Sequence, residues 1–246
     1  MAIRTVCVDV MNEGDFKKVS RRELLKLSPL ALAGTLAFKS VRVPLLHAGL
    51  RFTDWATQRG LGTSGLAETF SDSHVVNFED FPYNYYDVLD PEVESESWAL
   101  TVDGEVDKPG EYTLGQIKQL PKISQNTRHI CIEGWDVIGN FGGARLSDFL
   151  TMVGVDTSAR FIEVYCADDY YSSIDMASAR HPQSLLCYEM YGKPLNAGHG
   201  APLRLQMPTK LGYKQAKYLV SLRVSSVLGP RKGYWEDIGY SWFGGI

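Results

Sequence analysis

One thiol stands among groups able to do chemistry. The run HICIEGW, His129 to Trp135, places Cys131 two residues from a histidine and two from Glu133, with Arg128 just ahead. A cysteine there has three uses: inert core, nucleophile or metal ligand. Basic neighbours such as Arg128 and His129 lower a thiol pKa and favour thiolate, the form that binds metal. Taken alone, a single cysteine in an apolar run is more often buried core. Other groups of the right kind lie downstream. HGAPLR, His199 to Arg204, holds an imidazole and a guanidinium, whose fork suits bidentate phosphate binding. YCADDYYSSI, Tyr165 to Ile174, brings Cys166 and Tyr170 together with two acids, and KQAK follows at Lys214 to Lys217. The four cysteines, Cys7, Cys131, Cys166 and Cys187, form no CxxC pair, which argues against a zinc ribbon or thioredoxin-type site.

These groups need elements to hold them. SWALTVDGEVDKPGEYTL reads as a β-hairpin, with Trp98, Leu100 and Val102 alternating and Asp103-Gly104 as the turn. TLGQIKQLP is a short helix with Thr113 and Gln116 as a capping box. RLSDFLTMVGV is a second helix, opened by Ser147 and Asp148 and closed near Gly154. RFIEVYCAD, SLLCYEMYGKPL, APLRLQMP and KYLVSLRVSSV are strands, the second ending in a Gly-Lys-Pro turn. Short strands dominate and are not spaced as βαβ units, so the expected class is α+β, with mixed sheets and short helices. A chain of 246 residues is long enough for one sizeable core, or two at most. A formal net charge of −4 leaves no nucleic-acid footprint.

The N-terminus reads as an address. SRRELLK, Ser20 to Lys26, precedes the apolar run LSPLALAGTLAF, which is too short for a membrane span of ~20 residues. Arg21 and Arg22 in this setting resemble a twin-arginine export signal. The expected division is a targeting segment over 1–48 and one domain over 49–246. The expected location is the periplasm, with retention as an uncleaved anchor left open.

The separated motifs Cys-x-Glu-Gly-Trp, YYSSI, LxYEMxGxPLxxxHGxPLR and GYKxxK occur in that order. Together they resemble the molybdopterin domain of the sulfite oxidase family, from about Asn77 to the C-terminus. The resemblance implies a molybdenum–molybdopterin cofactor. Cys131 then matches the single protein ligand to molybdenum, a soft thiolate. His199 and Arg204 match contacts to the pterin and its phosphate, and Gln215, Ala216 and Lys217 match a segment around the same cofactor. Tyr83, Asn84, Tyr86 and Asp87 in YNYYD match an upstream pterin-contacting segment. Cys166 falls near a cofactor-contacting threonine of some relatives. Tyr170 matches the tyrosine near the metal's open side, placed to donate a hydrogen bond to the oxygen being moved.

Sulfite-binding relatives follow the cysteine with Asn and Arg, whereas Glu133 and Asp136 follow it here. With Asp168 and Asp169, these acids would repel a dianion. The sequence is thus more similar to the bacterial exported branch, which includes periplasmic methionine sulfoxide reductases. The expected activity is two-electron oxygen-atom transfer, with reduction of a small-molecule or protein-bound sulfoxide. A sulfite dehydrogenase and a non-catalytic binding module stay open as alternatives. No CxxCH haem motif or further C-terminal domain appears before Ile246, which predicts a separate electron-transfer partner, a haem membrane subunit or a cytochrome.

Overall fold

The computed structural model describes residues 52, 65–82, 84–85, 91 and 93–246. All the elements below belong to the unit Leu50–Ile246. The segment expected to be an export signal lies outside the described residues. In chain order the elements begin with β1 (Ala99–Gly104), β2 (Gly110–Thr113), α1 (Leu114–Ile117), β3 (Lys122–Ile130), β4 (Asp136–Arg145) and α2 (Leu146–Val153). They continue with β5 (Phe161–Cys166), β6 (Tyr171–Asp175), α3 (Met176–Ala179), β7 (Leu185–Met190) and β8 (Lys193–Pro194). Last come β9 (Arg204–Gln206), β10 (Leu219–Ser225) and α4 (Tyr234–Asp237).

Two sheets result, and the α+β expectation holds. One runs β2-β1-β10-β5-β6, with β1 and β10 parallel and the other pairs antiparallel. The other runs β3-β4-β7-β8, with β9 also pairing with β7. Alternation along the strands buries Leu100 and Val102 of β1, Ile162 and Val164 of β5, and Leu222 and Val224 of β10. Helix α2 adds Leu146, Phe149, Leu150 and Val153 to the same core, the i, i+3, i+4, i+7 stripe of a half-buried helix. A smaller core gathers Phe81, Phe141, Leu185, Cys187, Met190 and Leu195.

The capping box of α1 is present, with Thr113 and Gln116 each accepting the other's backbone N–H. Three local expectations shift. Gly104 does not turn the first hairpin; it still pairs with Val224, and the chain travels on to β2 through residues 105–109. At φ +88°, with Val224 O only 2.0 Å from where a Cβ would lie, that glycine serves close approach of β1 to β10. Helix α2 opens at Arg145 without a side-chain cap, and its first N–H, on Leu146, donates to Ser184 O at 2.9 Å. The turn after β7 is Tyr191-Gly192, because Lys193 and Pro194 already pair back as β8.

Candidate active site

Cys131 is the first residue beyond β3, in the loop that joins β3 to β4. Ile130 still pairs with Asp136, and the loop closes on itself through Cys131 N–H to Trp135 O at 2.9 Å and Gly134 N–H to Cys131 O at 3.2 Å. Strand alternation places Thr127 and His129 inward and Arg128 outward. Arg128 therefore pairs with Asp136 at 3.4 Å, both side chains about half exposed, and does not act on the thiol. Nor does His129: burial, then the charge of Arg204, lowers its pKa to about 3, so the ring is neutral. The thiol of Cys131 is correspondingly raised, with burial as the main cause and the Glu133 carboxylate adding to it. Backbone N–H groups of Glu133 and Ile132 and the Asn84 amide act in the opposite direction. The expected basic activation of this thiol is thus replaced by N–H donors, and a bound metal would have to displace the proton. Asn84 Nδ2 reaches both Cys131 Sγ at 3.4 Å and Glu133 Oε2 at 2.8 Å.

A cleft of about 860 Å³, solvent at its mouth included, opens in front of Cys131. The turn between β5 and β6 brings Asp168 and Tyr170 to its wall, and the short 3₁₀ turn Gly212–Lys214 leads Gln215, Ala216 and Lys217 along another. The Tyr170 hydroxyl donates to Tyr213 O at 2.6 Å, so its proton is directed at the backbone. Lys217 Nζ donates to Asn84 O at 2.8 Å and Gly198 O at 3.0 Å, tying the two walls together. Gln215 Oε1 lies 3.2 Å from His129 Nδ1, and the His129 ring packs 5.7 Å from that of Trp135.

Arg204 lines the same cleft and is 4% exposed. Its guanidinium donates to the carbonyls of His199 at 3.2 Å and Leu205 at 3.4 Å. Among the described residues no carboxylate lies within ion-pair distance of it. Burial pushes its pKa down. An unpaired buried cation costs several kcal/mol on the order of magnitude, and an anionic group entering the cleft relieves that cost. A soft thiol and a buried arginine without a counter-ion, facing one cleft, form a donor set that fits a molybdenum–pterin with its phosphate.

Of the residues singled out in the sequence, Asn84, Cys131, Tyr170 and Arg204 line the cleft, as do Gln215, Ala216 and Lys217. Cys166 does not; it is 6% exposed within the main core, where burial raises its thiol well above the usual range. His199 lies behind the cleft, its ring 5.0 Å from Phe78 and 5.4 Å from Phe81, while its carbonyl supports Arg204. Tyr83, Tyr86 and Asp87 lie outside the described residues. Of the four acids, Glu133 and Asp168 face the cleft; Asp136 turns outward to Arg128, and Asp169 occupies the turn at φ +62°. Sequence reasoning missed His129, Trp135 and Trp235 as cleft residues. His129 was legible, since it lies two residues before Cys131 on the same strand face. Trp235 carries no local signal.

Comparison with known proteins agrees with this geometry. The family described as "Oxidoreductase molybdopterin binding domain" matches residues 87–235. The "Putative protein-methionine-sulfoxide reductase subunit YedZ1" of Azospira oryzae is 45% identical over 182 residues, which is 73% of this chain and 68% of that protein. The "Protein-methionine-sulfoxide reductase catalytic subunit MsrP" of Pseudomonas syringae pv. tomato is 28% identical, covering 92% of this chain and 77% of that protein. Among solved structures, the sulfane dehydrogenase SoxCD of Paracoccus pantotrophus shares the fold, with a TM-score of 0.53 at 20% identity, over 56% of this chain and 40% of that one. With the family matched over more than half of its length and a cleft that suits the cofactor, the chain belongs to the oxidoreductase molybdopterin-binding family and is an oxidoreductase that uses the molybdopterin cofactor.

Proposed function

We propose that this oxidoreductase removes the oxygen atom from a neutral sulfoxide, free or within a protein. The observation that carries the reading is the pair of acids that line the cleft, Glu133, two residues beyond Cys131, and Asp168, in the turn between β5 and β6. Two carboxylates in a partly dehydrated cleft repel sulfite and leave an uncharged S=O group unopposed. The names of the relatives from Azospira and Pseudomonas point the same way. Cys131 is the residue proposed to ligate the metal, and Arg204 the one to hold the cofactor's phosphate. Gln215, Ala216 and Lys217 form the wall against which the pterin would lie. Bound there, the cofactor supplies two-electron exchange coupled to gain or loss of one oxygen atom. The chain's own residues do the rest: Asn84 holds Glu133 and the Cys131 sulfur, and Tyr170 fixes the Tyr213 carbonyl and so the Gly212–Lys214 turn.

The test is an activity screen of purified, cofactor-loaded protein against methionine sulfoxide, other sulfoxides and sulfite. Sulfoxide reduction that Cys131→Ser abolishes is the expected result. Efficient sulfite oxidation with no sulfoxide turnover would transfer the protein to the alternative. Electrons are proposed to come from a separate haem-bearing partner, since the sequence holds no CxxCH. Export by the twin-arginine route is proposed from Arg21 and Arg22. Replacing both by lysine keeps the charge and should strand the protein in the cytoplasm, whereas continued periplasmic recovery would refute export by that route.

A further inference from the structure

A sulfoxide has an oxygen side and a carbon side. Its oxygen is the atom to be transferred and must face the metal proposed at Cys131. The two carbon substituents on its sulfur must then lie against the cleft wall. Glu133 and Asp168 sort substrates by charge and offer no apolar surface to carbon. Aromatic residues do offer one: Tyr85, Trp135, Tyr170, Tyr213 and Trp235 line the cleft. The tryptophans divide by use. Away from the cleft, the Trp98 indole N–H donates to Leu219 O at 2.8 Å and that of Trp242 to Ser173 Oγ at 2.7 Å. Buried indoles ordinarily find such partners. The indoles of Trp135 and Trp235, at the cleft, donate to no described residue. Trp135 still serves the loop that carries Cys131, because its carbonyl accepts the Cys131 N–H and its ring packs on His129. Trp235 has no part in that loop.

Trp235 is nevertheless held firmly in place. It belongs to α4, which is four residues long, and a single helical turn does not hold itself together in water. The next residue, Glu236, is fixed by the buried Lys214 and by Ser172 Oγ at 3.0 Å. Tyr240 N–H donates to Trp235 O at 3.0 Å. The Trp235 ring packs edge-on at 5.3 Å against the rings of both Tyr234 and Tyr240. A buried ion pair is often no more stabilising than apolar residues of the same volume; what Lys214 and Glu236 supply is position. Lys214 is the last residue of the turn that leads into Gln215, Ala216 and Lys217. The pair therefore sets Trp235 in register with the segment proposed to lie against the pterin. Trp235 itself is half-buried: it packs against the main core and still lines the cleft.

We propose that Trp235 determines specificity on the carbon side of the sulfoxide: its indole receives the larger apolar substituent on sulfur and so favours aryl and long-chain alkyl sulfoxides over dimethyl sulfoxide. This inference rests on the sulfoxide-reductase reading. Carbon next to a sulfinyl group carries C–H bonds polarised towards positive, and the negative face of an indole attracts them. Apolar area removed from water adds to this in proportion to the size of the substituent. Trp235 thus acts on substrate binding and leaves the transfer of the oxygen to the cofactor.

The experiment measures kcat and KM of wild-type, Trp235→Phe and Trp235→Ala holoenzymes for dimethyl sulfoxide and methyl phenyl sulfoxide, with molybdenum content measured alongside. In the alanine variant, kcat/KM should fall about 10–100-fold for methyl phenyl sulfoxide, chiefly through KM, and by less than about threefold for dimethyl sulfoxide. Its molybdenum content should match wild type, and the phenylalanine variant should keep most of the preference. An alanine variant that keeps the wild-type preference, or loses both substrates equally, overturns the proposal and leaves the sulfoxide reading intact. A wild-type enzyme that reduces no sulfoxide overturns both. Should Trp235→Ala fail to fold or to load cofactor, fluorine NMR of fluorotryptophan-labelled wild-type holoenzyme decides, with the Trp235 resonance identified as the one missing from Trp235→Phe. Methyl phenyl sulfide, the product that keeps both carbon substituents and lacks the oxygen, should shift that resonance and leave those of Trp98 and Trp242 in place. A Trp235 resonance that does not move overturns the proposal.

Discussion

Near the C-terminus, Lys210 and Lys214 are each 1% exposed and each meets a carboxylate; in the cleft, Arg204 is 4% exposed and meets none among the described residues. Lys214 pairs with Glu236 and donates to Ser173 O at 2.8 Å, while Ser172 Oγ donates to the same carboxylate oxygen at 3.0 Å. Lys210 reaches Asp175 at 3.3 Å and the Phe243 carbonyl at 2.7 Å. In that region both buried lysines are answered by the chain itself, and the result is mechanical: residues 234–243 are pinned to β6 and to the loop before β10. Among the described residues, Arg204 is answered by the carbonyls of His199 and Leu205 and by no carboxylate. The difference separates a charge used to build from a charge held for something that arrives later.

The largest expected effect tests the building side. Lys214→Met removes one partner of a buried pair and should cost about 3–5 kcal/mol of unfolding free energy, read by chemical denaturation. Lys214→Met with Glu236→Leu removes both charges and should recover most of that loss. A single variant as stable as wild type would erase the distinction between the two regions.

The next effect tests the other side. Arg204→Met should leave the cofactor-free protein about as stable as wild type, because a desolvated charge is gone and no carboxylate among the described residues is orphaned, while the His199 and Leu205 carbonyls lose a donor. Cofactor affinity should fall by about 10–100-fold, measured as molybdenum and pterin retained after purification. Arg204→Lys keeps the charge and loses the fork, so it should fall between the two. Destabilisation of the cofactor-free protein by Arg204→Met, with full cofactor retention, would make Arg204 another structural cation.

The two regions also differed in how far the sequence disclosed them. The cleft was legible where its residues recur as spaced motifs: Cys131, Arg204 and Lys217 come from segments far apart in the chain and meet at one cavity. The pinning of the tail was not, because Lys214 lies inside the same GYK motif and finds Glu236 across the fold, a pairing no local pattern encodes. Strand β4 escaped notice for a related reason. Gly139, Gly142 and Gly143 argue against a strand by propensity, yet a Cβ at Gly143 would lie 2.1 Å from Leu186 O, so close approach to β7 requires glycine there. Alternation disclosed β5 and β10 because each packs one apolar face on the core. The state of the Cys131 thiol was misread from its neighbours in sequence, since strand geometry points Arg128 away from it.

The smallest expected effect lies where the two regions touch. Tyr170 lines the cleft, yet its hydroxyl holds the carbonyl of Tyr213, and the Tyr213 hydroxyl donates in turn to Ser241 O at 2.6 Å in the pinned tail. Tyr170→Phe keeps the ring, including its packing 6.4 Å from the Tyr234 ring, and deletes the hydrogen bond to the Tyr213 carbonyl. Such a bond contributes about 0.5–1.5 kcal/mol, so stability should fall by that amount and turnover by no more than about tenfold, a shift of about 1.4 kcal/mol in barrier. The change in turnover would then reflect a loosened Gly212–Lys214 turn, with cofactor content near wild type. A hydroxyl acting on the substrate oxygen predicts something else: a loss of about 10²–10³ in kcat with stability unchanged. Measuring unfolding free energy and kcat on the same variant separates a tyrosine that joins the two regions from one that works at the reacting atoms.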